Sequence, residues 1–426
     1  MTVTGPKTTR SLASLHRQTF AALANTNFRR YISGQSLSLI GTWMQSIAQS
    51  WLVLQLTGSG TAIGLVVALQ TVPMLLLGPY GGVIADRVDK RRLMVVLQSL
   101  MGVQALVLGL LTITGTVQMW HIYLLAVALG LNQCFENPAR QSFMLEMVGP
   151  RDLRNAVSLQ SVLVNVARAV GPAVAGLIIA TGGLGLCFML NAVSFVAVVV
   201  SLLRLDVSKL QPSPPAKRER GQLRAGIAYV RRTPALAVPL VMMALIGCLT
   251  YEFQVVLPVV AEHTFHAGAD SYGFLTAAMG AGAVVGGLAM ATWGRTGNKA
   301  LVVTATAFGV VMTVAALAPS LGTMIAAMVL VGAVSVAYTA TTNSTLQLEA
   351  DPSMRGRVMA LWAVAFMGST AIGGPVAGWV SQTFGGRAGL ALGAVTCFVA
   401  AAVATLVLRR VRERRPELVE EIITAD

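Results

Sequence analysis

The sequence predicts an all-α membrane protein of twelve transmembrane helices arranged as two pseudo-symmetric six-helix bundles. Three observations carry this. The chain of 426 residues is 55% hydrophobic and 11% charged, whereas a water-soluble domain keeps roughly a quarter of its residues charged. Apolar stretches of about 20 residues, the length that a bilayer core of about 30 Å demands, recur along nearly the whole chain. Basic residues gather in alternate breaks between these stretches, the asymmetry that a positive-inside topology produces.

The elements follow in order. Segment 1–30 is basic, with Lys7, Arg10, Arg17, Arg29 and Arg30. It stays polar too long for a secretory leader, whose apolar region begins early, so no cleaved signal is expected. Spans at 31–57, 62–85, 93–115, 120–147, 155–181 and 185–204 make an N-terminal bundle over 31–205. Arg87, Lys90, Arg91 and Arg92 follow the second span, and Arg140, Arg151 and Arg154 surround the break after the fourth. Residues 206–233 contain Gln211-Pro-Ser-Pro-Pro and a run of Lys and Arg; proline and charge exclude them from a bilayer and mark a linker. Its last part, Gln222 to Val230, sets Leu223, Ile227 and Val230 at helical spacing, the pattern of an amphipathic helix on a membrane surface. Spans at 234–261, 269–292, 299–318, 321–347, 356–382 and 388–409 make a C-terminal bundle over 234–409, followed by a basic tail, 410–426. Of 31 basic residues, only Arg168 and Arg387 fall outside the alternation. The linker and both termini are therefore expected on the cytoplasmic side.

The halves echo each other. Glu146, Arg154-Asn-Ala-Val-Ser-Leu and Gly171-Pro172-Ala-Val-Ala175-Gly176 recur in order as Glu349, Arg357-Val-Met-Ala-Leu and Gly374-Pro375-Val-Ala377-Gly378. Three matched features at matching topological places indicate an internal duplication. Gly171, Gly176, Gly374 and Gly378 allow close helix contact. Pro172 and Pro375 remove a backbone donor and bend the helix, which a gated cavity requires and which packing alone also explains.

The loop Gly82-Val-Ile-Ala-Asp86-Arg87-Val-Asp89-Lys90-Arg91-Arg92 resembles the G-x-x-x-D-R-x-G-R-R loop of the major facilitator superfamily, departing from it at Asp89 and Lys90. Segment Ala167 to Gly176 resembles that superfamily's fifth-helix antiporter motif, with Ala167 and Ala175 in place of glycines. Gly41-Thr-Trp43-Met-Gln45 and Asn137-Pro138-Ala-Arg140-Gln141 are similar to the bacterial enterobactin-exporter and macrolide-efflux branch of drug:proton antiporters. The resemblance implies the superfamily fold, location in a bacterial inner membrane, and export driven by a proton gradient without cofactor or metal. It also implies a conformational latch, to which Gly82 belongs and in which Asp86 docks on the positive end of the eleventh helix near Arg355 to Val358. Arg87 or Arg91 is then expected to pair with Glu146.

Charged groups inside a bilayer are costly unless paired or wetted, and so mark function. Glu136, Arg168 and Glu252 lie within spans four, five and seven. Glu136 is expected to carry a coupling proton with Arg168 as the partner that tunes it; Arg140, one turn away, is the competing partner. Glu252 lies nearer the outside, where Tyr251, Gln254, Glu262, His263 and His266 offer the alternative of a wet vestibule rim. Gln45, Gln49, Asn132 and Asn165 are candidate substrate contacts, with helix-to-helix hydrogen bonding as the plainer reading.

The sequence also excludes classes. Cys134, Cys187, Cys248 and Cys397 lie in or beside spans without CxxC spacing, so neither zinc nor disulfides are expected. There is no HExxH, GxSxG or phosphate loop, so the chain does not read as an enzyme. A net charge of +14 confined to loops speaks for membrane topology and not for nucleic acid. The expected partners are the lipid bilayer and a small-molecule substrate, with the chain acting as a monomer. The function expected is proton-coupled export of a bulky amphipathic small molecule: a drug, siderophore or secondary metabolite. The alternatives are an importer or lipid transporter of the same fold, or a non-transporting membrane scaffold or sensor, which would leave the buried charges without a purpose.

Overall fold

The computed structural model describes residues 21–211 and 222–414, except the side chains at 79, 81–86, 222–224, 293 and 411–414. Among the described residues, nine helical runs are long and apolar enough to cross a membrane. The longest, Met119–Leu203, is three spans in one, because Gly149 (φ 74°) and Gly183 (φ 79°) each turn the chain in a left-handed conformation that glycine adopts without strain. We label these α4 (119–148), α5 (150–182) and α6 (184–203). Before them lie α1 (Thr26–Thr57), α2 (Gly60–Arg87) and α3 (Lys90–Ile113). The short helix α7 (Gln222–Arg232) follows, then α8 (Pro234–Thr264), α9 (Ala269–Trp293), α10 (Asn298–Ala316), α11 (Leu321–Glu349), α12 (Arg355–Phe384) and α13 (Gly386–Arg414). Helix α1 is not among the apolar nine, since Gln35, Gln45 and Gln49 turn inward and are buried. With it, twelve helices span the membrane, and the protein is a multi-pass membrane protein of the predicted class.

Local chemistry sets the helix ends. Asn25, Ser59 and Asp89 cap α1, α2 and α3, their side chains accepting the backbone N–H of Phe28, Ala62 and Arg92. Asp89, which departs from the superfamily loop pattern, is thus the N-cap of α3. Helix α1 begins at Thr26, before the expected 31, because the Asn25 cap and not the onset of hydrophobicity starts it.

The same pairs of helices pack in each half. Gly41 of α1 meets Asn191 of α6 as Thr250 of α8 meets Gly393 of α13. Gly130 of α4 lies on Gln70 of α2 as Gly282 of α9 lies on Val329 of α11. Gly109 of α3 meets Met189 of α6 as Gly309 of α10 meets Phe398 of α13. Close backbone approach through small residues supplies the dispersion contact that drives helix association where lipid leaves no hydrophobic incentive.

The halves touch each other through two equivalent contacts. Gly64 of α2 abuts the Gly374 carbonyl of α12, and Gly60 abuts Gly378. Gly273 of α9 abuts Pro172 and Gly176 of α5, and Gly280 abuts Ala169. Three glycines of the duplicated motif, Gly176, Gly374 and Gly378, therefore join the two halves, while Gly171 packs on α1 within its own half. The hydrogen bonds between halves, among the described residues, lie at mid-depth or on the face opposite the termini. There the Gln382 carboxamide oxygen accepts from the Ser59 (2.6 Å) and Thr61 (2.8 Å) hydroxyls, and Trp51 stacks on Tyr272 with centroids 6.3 Å apart.

Helix α7 is anchored at its C-terminal end. Val230 is buried with Leu236, Leu240, Leu346, Ala350 and Val358, and the Tyr229 hydroxyl donates to Asp351 (3.0 Å). Val230 of the amphipathic face thus packs on the C-terminal half, while Ile227 of the same face is exposed. The side chain of Leu223 lies outside the described residues.

Candidate transport site

Between α1, α2, α3, α4 and α6 lies a cavity of about 190 Å³, in which the carboxamides of Gln45, Gln49, Gln70, Gln104, Gln133 and Asn191 are set among apolar side chains such as Ile63, Val66, Met101 and Phe195. The C-terminal half closes it with Gln254, whose amide donates to the Ser46 hydroxyl (2.7 Å). A buried relay stiffens one wall: Asn191 Nδ2 donates to Gln45 Oε1 (2.6 Å), and Gln45 Nε2 donates to Gln104 Oε1 (2.9 Å). Gln104 Nε2 is left without a partner although the residue is only 7% exposed. Trp43 lines the same cavity, and its indole carries the Arg168 guanidinium at 5.0 Å from the ring.

Of the four expected substrate contacts, Gln45 and Gln49 line the cavity. Asn132 donates to the Leu97 carbonyl of α3 (2.9 Å), which makes it a helix-to-helix tie. Asn165, exposed on α5, spends its amide on the Ser161 carbonyl of its own helix (2.8 Å). Sequence reasoning missed Gln104, Gln133 and Asn191; their clustering depends on how three helices are rotated, which a periodic pattern does not encode.

The acids have different partners from those expected. Glu136 Oε1 lies 3.0 Å from Arg140 Nε on the same helix and receives Gln98 Nε2 at 3.4 Å. Arg140 in turn donates to Asn137 (2.8 Å). The expected Glu136–Arg168 pair is not formed: Arg168 lies over Trp43, and the i,i+4 geometry of α4 gives Glu136 a cation without help from α5.

Glu252 stands at a break. Helix α8 loses its regular turn at Thr250–Glu252, where the Thr250 hydroxyl donates to the Gly393 carbonyl (3.0 Å) and the Tyr251 hydroxyl to the Ser335 carbonyl (2.7 Å). Glu252 is 3% exposed, beside Gly373 and Gly374 of α12. The Thr370 hydroxyl faces it, its Oε1 has no partner, and no cation pairs with it among the described residues. A widened π-helical turn at Val364–Gly368 of α12 packs on Gly247 of α8. Two irregular segments, one in α8 and one in α12, thus lie next to each other near this buried acid, as irregular turns often do at functional sites in membrane helices. Glu252 itself is buried in a helix contact.

The loop after α2 also differs from expectation. Glu146 pairs with Lys90 (2.7 Å), not with Arg87 or Arg91. Arg87 is exposed, and Arg91 donates to the Leu202 and Leu203 carbonyls of α6 (2.8 Å each). The capped start of α3 aims Lys90 inward and Arg91 along α6. Asp86 and Gly82 have side chains outside the described residues; helix α12 begins at Arg355 with no side-chain cap on its first turn.

Both members of the Lys90–Glu146 pair are about nine-tenths buried. Removing one partner of a buried pair costs about 3–5 kcal/mol because the other charge is stranded. Glu146→Gln is therefore expected to lower the unfolding midpoint in detergent sharply. The double variant Lys90→Met/Glu146→Leu should recover most of the loss. A double variant no more stable than Glu146→Gln refutes the stranded-charge account.

Comparison with known proteins agrees with this architecture. A family profile described as transmembrane secretion effector matches residues 17–420. The chain is 27% identical over 263 residues to the staphyloferrin A transporter of Staphylococcus aureus, a match covering 61% of this chain and 66%, just under two thirds, of that protein. It is 26% identical over 399 residues to the enterobactin exporter EntS of Escherichia coli, covering 91% of this chain and 93% of that one. The crystal structure of the nucleoside transporter NupG superposes with a TM-score of 0.71 at 12% identity, covering 90% of this chain and 98% of that one.

Proposed function

This chain belongs to the transmembrane secretion effector family of the major facilitator superfamily, and we propose that it exports a bulky amphipathic small molecule of the siderophore or secondary-metabolite class by proton-coupled alternating access. It is a transporter and not an enzyme. The observation that carries the transport reading is a cavity in the N-terminal half, with amides among apolar side chains, that Gln254 of the other half adjoins, in a chain whose halves touch through glycine contacts. Such contacts can be made and broken as rigid bundles rock. Related transporters of siderophores, at 26–27% identity, support the substrate class.

On this reading the terminal face, with its basic loops, is cytoplasmic in a bacterial inner membrane, and the structure is closed on the outer side. Asp86 serves as the latch of the opposite, inner closure by docking on the uncapped start of α12. Glu252 serves as a proton site, dry while the halves touch beside it and wetted when they part. The proton gradient supplies the energy, with no cofactor or metal.

The test is a strain lacking the chain compared with its parent. Retention of one metabolite inside the cells, reversed by the wild-type chain, is expected; unchanged internal and external metabolites, with uptake lost instead, would favour the importer. Orientation is checked alongside: a cysteine introduced at Ser208 should resist an impermeant thiol reagent in intact cells, while one at Thr116 should react. Labelling at Ser208 in unbroken cells overturns the assignment.

A further inference from the structure

Of the two basic residues that fall outside the charge alternation, only one has a structural task. Arg387 donates to the Ala318 carbonyl (2.8 Å), satisfying the end of α10. Arg168 makes no hydrogen bond and no ion pair among the described residues. It sits half-buried in the membrane-spanning part of α5, over the Trp43 ring. A guanidinium is costly there without a counter-charge, and cation–π contact offsets part of that cost without satisfying its five donors.

The backbone under it is closely packed. Gly171, one turn beyond Arg168, is pressed against the Trp43 Cβ, where an added methyl would come within 2.6 Å. Trp43 thus links the two places: the Arg168 guanidinium lies over its ring, and Trp43 itself lines the cavity. At that cavity's wall Gln104 has a buried Nε2, a second donor without a partner, held in place because the Gln45 relay fixes its oxygen. None of the cavity-lining side chains carries a charge.

We propose that Arg168, Trp43 and the amide-lined cavity form one binding site for an anionic, oxygen-rich ligand. Its acid group rests on Arg168, a flat or apolar part lies against Trp43, and its hydroxyl or carbonyl oxygens meet the Gln104 amide and its neighbours. Arg168 is then a substrate-binding residue, not the tuning partner of Glu136. The inference rests on the export reading only in taking this ligand to be the cargo.

The probes are 3,4,5-trihydroxybenzoate, which carries a carboxylate, a ring and three hydroxyls, and the matching 3,4,5-trihydroxybenzamide, which lacks only the charge. Affinities are read from the ligand dependence of the unfolding midpoint of the full chain in neutral detergent. A charged hydrogen bond is stronger than a neutral one, so the wild type should prefer the acid by at least about tenfold. Arg168→Gln should erase the preference, and Arg168→Lys should keep part of it. Gln104→Leu should weaken acid and amide alike, which keeps the proposal testable if Arg168→Gln fails to fold. Repeating the titration in nanodiscs separates two sources of the anion. A preference seen in phosphatidylcholine and lost in phosphatidylglycerol assigns the site to an acidic lipid headgroup; one seen in both assigns it to a soluble acid. Equal affinities for acid and amide, no measurable binding of either, or a preference that survives Arg168→Gln overturns the proposal. Export of a neutral or cationic metabolite overturns it and leaves the transport reading standing; an acid preference in a chain that exports nothing does the reverse.

Discussion

Replacing Gly64 with leucine is expected to cut transport severely and to hold the outer face open. Gly64 lies against the Gly374 carbonyl, and any side chain there meets backbone that cannot turn aside. Overpacking costs about 1–3 kcal/mol, which shifts a balanced two-state equilibrium by roughly five- to 150-fold. Gly64→Ala should fall between wild type and Gly64→Leu. Gly78, on the same helix with nothing within 4 Å of an added Cβ, is the control; Gly78→Leu should transport normally. Spin labels at Thr116 and Gly322, both exposed, span the face opposite the termini from one half to the other. Their separation should lengthen in Gly64→Leu. An unchanged separation together with normal transport would show that the α2–α12 contact does not gate.

Glu252→Gln is expected to abolish gradient-driven export while leaving ligand binding in place. Ionising a carboxyl that is 3% exposed, with an unpartnered oxygen and no cation beside it among the described residues, requires water or a positive group. Neither reaches it while Gly64 of the N-terminal half covers Gly374 beside it. The parting of the halves at Gly64 lifts that cover and leaves α8 and α12 together, so proton occupancy and gating share one contact. Glu136 already has Arg140 at 3.0 Å, and Glu136→Gln strands that cation; loss of stability is the main expected result. Both variants are compared for binding at fixed pH and for accumulation under an imposed pH gradient. Concentrative export that survives Glu252→Gln and fails in a stably folded Glu136→Gln would return the coupling role to α4.

What was legible in the sequence was what hydropathy and charge write locally. Twelve spans, the alternation of basic breaks and the duplicated Gly-Pro segments are properties of short windows, and the helices begin and end near the places they indicated. Partners were not legible where they depend on rotation about a helix axis. The superfamily pattern pointed to Arg87 or Arg91 for Glu146; capping of α3 by Asp89 puts Lys90 there instead. The two residues that depart from the pattern therefore act together, one setting the helix start and the other using the direction it gives. Asn132 and Asn191 look alike in sequence as polar residues in apolar spans. One ties α4 to the α3 backbone and the other lines the cavity, and only the packing of α1 against α6 at Gly41 separates them. Glu252 stands out in the sequence as a charge inside a span, but hydropathy does not register that α8 unwinds beside it.

The turn at Gly149 leaves no slack in the chain. Helices α4 and α5 meet at a single left-handed residue, with Gln211 seated against it and the Gln211 N–H bonded to the Glu146 carbonyl (2.8 Å). A displacement of α4 at this joint is therefore expected to pass to α5 as a rotation, in the manner of a crank, and α5 carries both Arg168 and the glycine seam against α9. Lys90, clamped to Glu146 one turn before the joint, is the bearing on which that crank turns. Lengthening the joint by two glycines would let α4 move while α5 stands still, uncoupling cargo from gate without altering either.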